Sequence, residues 1–228
     1  MSDGLMVAAL AVAALVMSCA WLVYVAARRG GVAGRSDVLG VLVRPRGDWW
    51  ILPVSLLVVG GTAVAWQAAG LAPTYQVRMA VMLVALAPLA LVDHREHVVP
   101  NRALGALLGV RAVIYVWEAI VLPDVFVDML RAELITAGIV VLFFVMVRML
   151  NKGGIGMGDV KLFAVMTLFL GTQLALASIF ASLLVSFFVA LVAMATKRKT
   201  RKDTFAMVPS IALGTALAVV LVSIRGAL

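Results

Sequence analysis

Two carboxylates stand where a carboxylate is expensive. Asp93 closes one apolar run, and Asp159 opens another behind Gly153, Gly154, Gly156 and Gly158. The flanking sequence is greasy enough to lie in a bilayer, and an acid placed there marks a functional site by default. If the two acids meet, like charges about 3 Å apart cannot both ionise, so the pair shares a proton. The ionised member then takes a proton from a water, while the protonated member donates to a peptide carbonyl oxygen. That is the chemistry of an aspartic protease, and it calls for neither metal nor cofactor. Taken singly, each acid has a plainer reading: Asp159 as a helix N-cap, Asp93 as an interfacial acid that ends a helix. The glycines favour the chemical reading. Gly156 and Gly158 flank Met157 directly before Asp159, and glycine permits close backbone approach and positive φ. Such a loop suits an extended peptide.

Other chemistries fit less well. The Gly-Ile-Gly-Met-Gly run lacks the Gly-Lys-Ser/Thr of a phosphate-binding loop and follows an apolar helix where a strand is needed. His94 and His97 are three apart and could share a helix face to hold a metal, but they are the only histidines in the chain, so no metal is expected. No serine has the elbow-like context of a nucleophile. Arg111 and Glu118 lie deep in one apolar run, seven apart and so on one helix face. They read first as packing residues that bond to neighbouring helices, and second as the lining of a cavity.

The elements that must position these groups follow from hydropathy. The chain has 228 residues, of which 64% are hydrophobic and 13% charged, with a mean hydropathy of +1.14. This composition predicts an all-α, polytopic transmembrane helix bundle. The net charge of +8 reflects the basic bias of cytoplasmic loops and implies no nucleic-acid partner. The partners expected are membrane lipid and a peptide substrate. Cys19 is the only cysteine, which excludes an intrachain disulfide and any multi-cysteine zinc site.

Apolar runs predict about eight spans, at 5–27, 51–69, 78–92, 103–122, 133–150, 160–170, 173–196 and 205–224. The stretch 123–129, with Asp124 and Asp128, reads as an outside loop. The first run is preceded by Asp3 and followed by Arg28 and Arg29. That order favours a retained helix with the N-terminus outside. Basic residues then fall mostly inside, with Arg78, Arg131 and Arg225 as the outside exceptions. The sixth span is short, roughly 16–20 Å against the roughly 30 Å hydrocarbon core. It is kept as a crossing because the Lys197–Asp203 segment would otherwise face outside. The whole of 1–228 reads as a single integral-membrane domain, with 28–50 a cytoplasmic loop and a catalytic core at roughly 80–214.

At the two acids a family resemblance enters. Asp93-His-Arg-Glu-His-Val-Val-Pro100-Asn101 resembles the first signature of type IV prepilin peptidases. Gly153-Gly-Ile-Gly-Met-Gly-Asp159-Val-Lys161-Leu162 resembles their second, a Gly-x-Gly-Asp motif trailed by Lys-Leu. The stretch from Asp203 through Pro209 to Gly214 is similar to the region before the family's last helix. The resemblance implies a multi-pass enzyme of the inner or plasma membrane with its active site facing the cytoplasm. Its substrates would be prepilins or pseudopilins, relieved of a basic leader by a cut after glycine. Asp93 and Asp159 would be catalytic. Gly156, Gly158, Pro100, Asn101 and Lys161 would shape the loop or bind substrate. Two departures stand out. No Cys-x-x-Cys is present, so the zinc domain associated with N-methylation is not expected, and the chain resembles the compact members. Ala206-Met-Val-Pro-Ser also replaces the more usual Phe-Gly-Pro-like run. The competing readings are a small proton- or cation-coupled transporter, with acids at the midplane of two symmetric halves, and an inactive pilus or secretion assembly subunit.

Overall fold

A computed structural model of the chain describes residues 72–150, 155–195 and 206–227. The expected spans at 5–27 and 51–69, the loop between them, Lys152 and the basic segment 197–203 lie outside the described residues. Within them the chain is helical throughout, with no strand: α1 (Pro73–Glu96), α2 (Asn101–Val121), α3 (Pro123–Leu150), α4 (Met157–Ala195) and α5 (Val208–Ala227). By length and composition, α1 to α4 contain segments able to cross a membrane, and α5 carries a shorter apolar stretch.

α1 is the interior helix: 83% of its apolar window is buried, against 33% for α2, 28% for α3 and 22% for α4. The outer helices turn Val113, Ile120, Leu142, Met146 and Leu150 outward. α1 starts on Pro73 at its first turn, where a missing N–H is harmless. It ends at His97, whose left-handed backbone (φ 53, ψ 37) returns its N–H to the Asp93 carbonyl.

α2 and α3 are joined by Leu122 alone, whose N–H caps onto the Glu118 carbonyl at 2.8 Å. The expected loop at 123–129 is therefore helix. Pro123 opens α3, and Asp124 occupies its first turn, where an acid faces the positive end of the helix dipole. Arg78 also departs from expectation. It lies inside α1, not at the first residue of its helix, and is 4% exposed, so it is a buried partner of two acids.

α4 is interrupted at Gly171, which has φ 74 and ψ 168, a region open essentially to glycine alone. Two contacts fix what happens there. Thr215 Oγ1 lies 3.3 Å from Met166 Sδ. Next to it on α5, a Cβ on Gly214 would sit 2.4 Å from the Ser182 nitrogen. A straight helix would hold residues 166 and 182 about 24 Å apart, so neighbouring positions on α5 can meet both only if the chain folds back at Gly171. The halves are 157–170 and 172–195. This matches the break expected between the sixth and seventh runs, with the short helix starting at Met157 and not at Val160. Its Val160, Leu162, Phe163, Met166 and Phe169 are fully buried, and Phe163 stacks on Phe144 of α3 at 4.7 Å. Enclosed by protein, a half-helix of roughly 21 Å need not match the bilayer.

Candidate active site

Asp93 lies in the last turn of α1 and Asp159 in the first turn of α4. Helix α1 ends at Glu96, and residues 97–100 lead into α2, with Pro100 extended at its N-cap (φ −67, ψ 122). Proline restricts the residue before it to extended backbone, so Val99 runs straight beside the turn that leads into α4. There Gly158 meets it: a Cβ on Gly158 would lie 2.9 Å from Val99 Cβ. Only glycine allows the two signature segments to pass this closely. Beyond the crossing, Lys161 Nζ donates to Asn101 Oδ1 at 3.0 Å on the exposed surface. The two motifs thus touch at two points.

The carboxylates themselves differ in setting. Asp93 is 4% exposed, and its Oδ2 accepts the Val208 N–H at 2.8 Å. Val208 is the first residue of α5, so Asp93 satisfies an otherwise orphan donor and faces a positive helix end. Asp159 is half-buried and lies within electrostatic reach of Asp93. A Cβ on Gly156 would fall 2.7 Å from Asp159 Oδ2. The open face of Gly156 is therefore the space that the carboxylate fills. Arg148, at the end of α3, donates to the Ile155 carbonyl and ties down the strand of chain entering the motif.

The seven residues expected from the resemblance to be catalytic, to shape the loop or to bind substrate all lie in this region. Asp93, Asp159, Gly156 and Gly158 cluster at its centre, Asn101 and Lys161 pair at its edge, and Pro100 acts on the backbone alone. The Val208 N–H, Val99 and Arg148 were not anticipated. The first is a backbone group without a side-chain signature. The second is one apolar residue among many. Arg148 read only as one of the basic residues at the inside end of the 133–150 span. The possible histidine pair does not share a helix face, because His97 sits beyond the helix end in a left-handed turn.

These features define a helical membrane-type protein with two acids gathered where the ends of three helices meet. The chain belongs to the type IV leader peptidase family, whose model matches residues 80–194, half of its length. It is 31% identical over 129 residues to the prepilin leader peptidase/N-methyltransferase of Bacillus subtilis (strain 168). That alignment covers 57% of this chain and 49% of the relative, so the matched stretch spans about half of the curated protein. No solved structure matches the chain.

Proposed function

We propose that the chain is a membrane-embedded aspartic endopeptidase that removes the basic leader from prepilin-like substrates. Asp93 and Asp159 act as one unit holding a single proton. The ionised carboxylate takes a proton from the attacking water as the water oxygen bonds to the scissile carbonyl carbon. The protonated carboxylate donates to the carbonyl oxygen. The tetrahedral intermediate then collapses, the C–N bond breaks, and the amine leaves with a proton returned from the pair. Gly156 leaves room for the Asp159 carboxylate, and Gly158 holds the two motif segments together. Pro100, Asn101 and Lys161 shape the rim on which the substrate lies.

The observation that carries this reading is the convergence of the two acids from separate helices onto one end of the bundle, across the Gly158–Val99 contact. A transporter reading calls for acids near the midplane of two similar halves, and both acids here are at helix ends. The active site faces the cytoplasm, because Arg102, Arg148 and Lys161 gather at the same end and basic residues mark the inside. On that orientation the chain crosses about eight times with its N-terminus outside, as one domain over 1–228.

The test is cleavage in a host lacking its own prepilin peptidase, using a prepilin whose basic leader ends in glycine. Wild type should release the leader, and Asp93→Asn and Asp159→Asn should not, at equal membrane levels. Cleavage by either variant at a wild-type rate would exclude the two-aspartate mechanism.

A further inference from the structure

At the far end of the half-helix 157–170 lies a cluster of four buried charges that the chemistry above does not use. Arg78 of α1, Arg111 and Glu118 of α2, and Glu133 of α3 are each at most 4% exposed. Arg78 Nη1 reaches Glu133 Oε1 at 2.6 Å and Glu118 Oε1 at 3.4 Å. Arg111 reaches Glu118 Oε2 at 2.8 Å and Glu133 Oε2 at 2.9 Å. Two cations and two anions cancel, which makes the burial tolerable. Mutual neutralisation alone does not say why the cluster is located here.

Its position against α4 supplies a reason. Because the chain folds back at Gly171, the last turn of 157–170 has carbonyls with no partner further along the helix. Arg111 Nε donates to the Leu168 carbonyl at 2.7 Å, and the Tyr75 hydroxyl donates to the Leu170 carbonyl at 2.9 Å. A Cβ on Gly171 would lie 3.2 Å from Arg78 Nη2, so the cluster rests directly on the break. Cations also suit the negative end of a helix dipole. Arg111 is itself held by both glutamates and lies 3.7 Å over the Tyr115 ring, so its donor is fixed in direction.

We propose that Arg111 and Tyr75 are positioning residues. They clamp the C-terminal end of the half-helix whose first turn carries Asp159, and so set how that carboxylate meets Asp93. The proposal rests on the two-aspartate reading. A short helix is a stiff rod, so a shift at its clamped end is passed to the acid at its other end. Reacting groups displaced by about 1 Å can lose up to 10²-fold in rate.

The full chain, purified in detergent, is assayed on a prepilin-like substrate as wild type, Tyr75→Phe and Arg111→Lys. Tyr75→Phe removes one hydroxyl, and Arg111→Lys keeps the charge but loses the fork. The clamp requires kcat to fall about tenfold in each, with KM within about twofold. A second readout needs no catalysis. In a Cys19→Ser background carrying Asp93→Cys and Asp159→Cys, a short bis-methanethiosulfonate, which forms a disulfide with each thiol and releases two sulfinates, should bridge the two positions, and more slowly once Tyr75→Phe or Arg111→Lys is added. Bridging at an unchanged rate in both backgrounds overturns the clamp, as does a rise in KM at constant kcat. If Arg111→Lys does not accumulate, Tyr75→Phe decides on the same readouts. Activity surviving Asp93→Asn or Asp159→Asn would instead sink the aspartate mechanism, and the bridging rates would still judge the clamp.

Discussion

A methyl group on Gly156 would compete with the Asp159 carboxylate for one space, because its Cβ would lie 2.7 Å from Oδ2. The carboxylate is the end of a side chain and can swing away, so the fold survives while the catalytic geometry does not. Gly156→Ala is therefore expected to lower kcat by about 10²-fold with little change in thermal unfolding, read by parallel cleavage and melting assays. Gly158→Ala should differ, since it collides with Val99 Cβ at 2.9 Å and must part the two motif segments. It should reduce both activity and stability. A pair that works with one shared proton also has a defined pH response. At low pH both acids are protonated and no base remains, while at high pH both are ionised and no acid remains. The pH profile of kcat/KM should be bell-shaped, and its two apparent constants belong to the pair. At this scale the sequence was most readable, because carboxylates and clustered glycines are conspicuous in a chain that is 64% hydrophobic. The Val208 N–H that holds Asp93 and the Val99 surface that demands Gly158 were not readable, because a backbone donor and one more valine have no distinctive type.

Helices position these residues through a few close crossings. The tightest described is between α5 and the second half of α4, where a Cβ on Gly214 would fall 2.4 Å from Ser182 N and 2.5 Å from its Cα. Neither atom can rotate away, so Gly214→Ala must push the helices apart. The expected cost is about 1–3 kcal/mol, seen as lower membrane accumulation and a lower unfolding midpoint. Activity should fall in the remaining folded fraction as well, because α5 supplies the Val208 N–H to Asp93. Helix content followed directly from the apolar runs, and so did the division near Gly171, since a glycine followed by threonine and glutamine interrupts the run there. The start of α3 was missed. Asp124 and Asp128 read as loop residues by polarity, yet a proline followed by an acid is also how a helix begins.

The whole molecule is held by charge as well as by apolar packing. Glu133 of α3 binds Arg78 of α1 and Arg111 of α2 and accepts the Tyr115 hydroxyl at 2.8 Å. One side chain therefore links three helices. Removing it strands two buried cations, and Glu133→Ala is expected to destabilise the protein by about 3–5 kcal/mol, measured by thermal or denaturant unfolding in detergent. The sequence pointed to half of this network: Arg111 and Glu118 share a helix face and were expected to bond to neighbouring helices. Arg78 was read as the outside end of the span 78–92. Its pairing depends on which helices adjoin, and that is fixed by the tertiary fold and not by any local pattern.

The central claim is that Asp93 and Asp159 function as a unit, and the most direct measurement is a set of single-turnover cleavage rates. Wild type, Asp93→Asn, Asp159→Asn and the double variant are compared at saturating enzyme on one prepilin substrate. A shared-proton pair predicts that each single change lowers the rate by at least about 10³-fold and that the double change adds almost nothing further. Losses that multiply between the two positions, or substantial cleavage by either single variant, would contradict it.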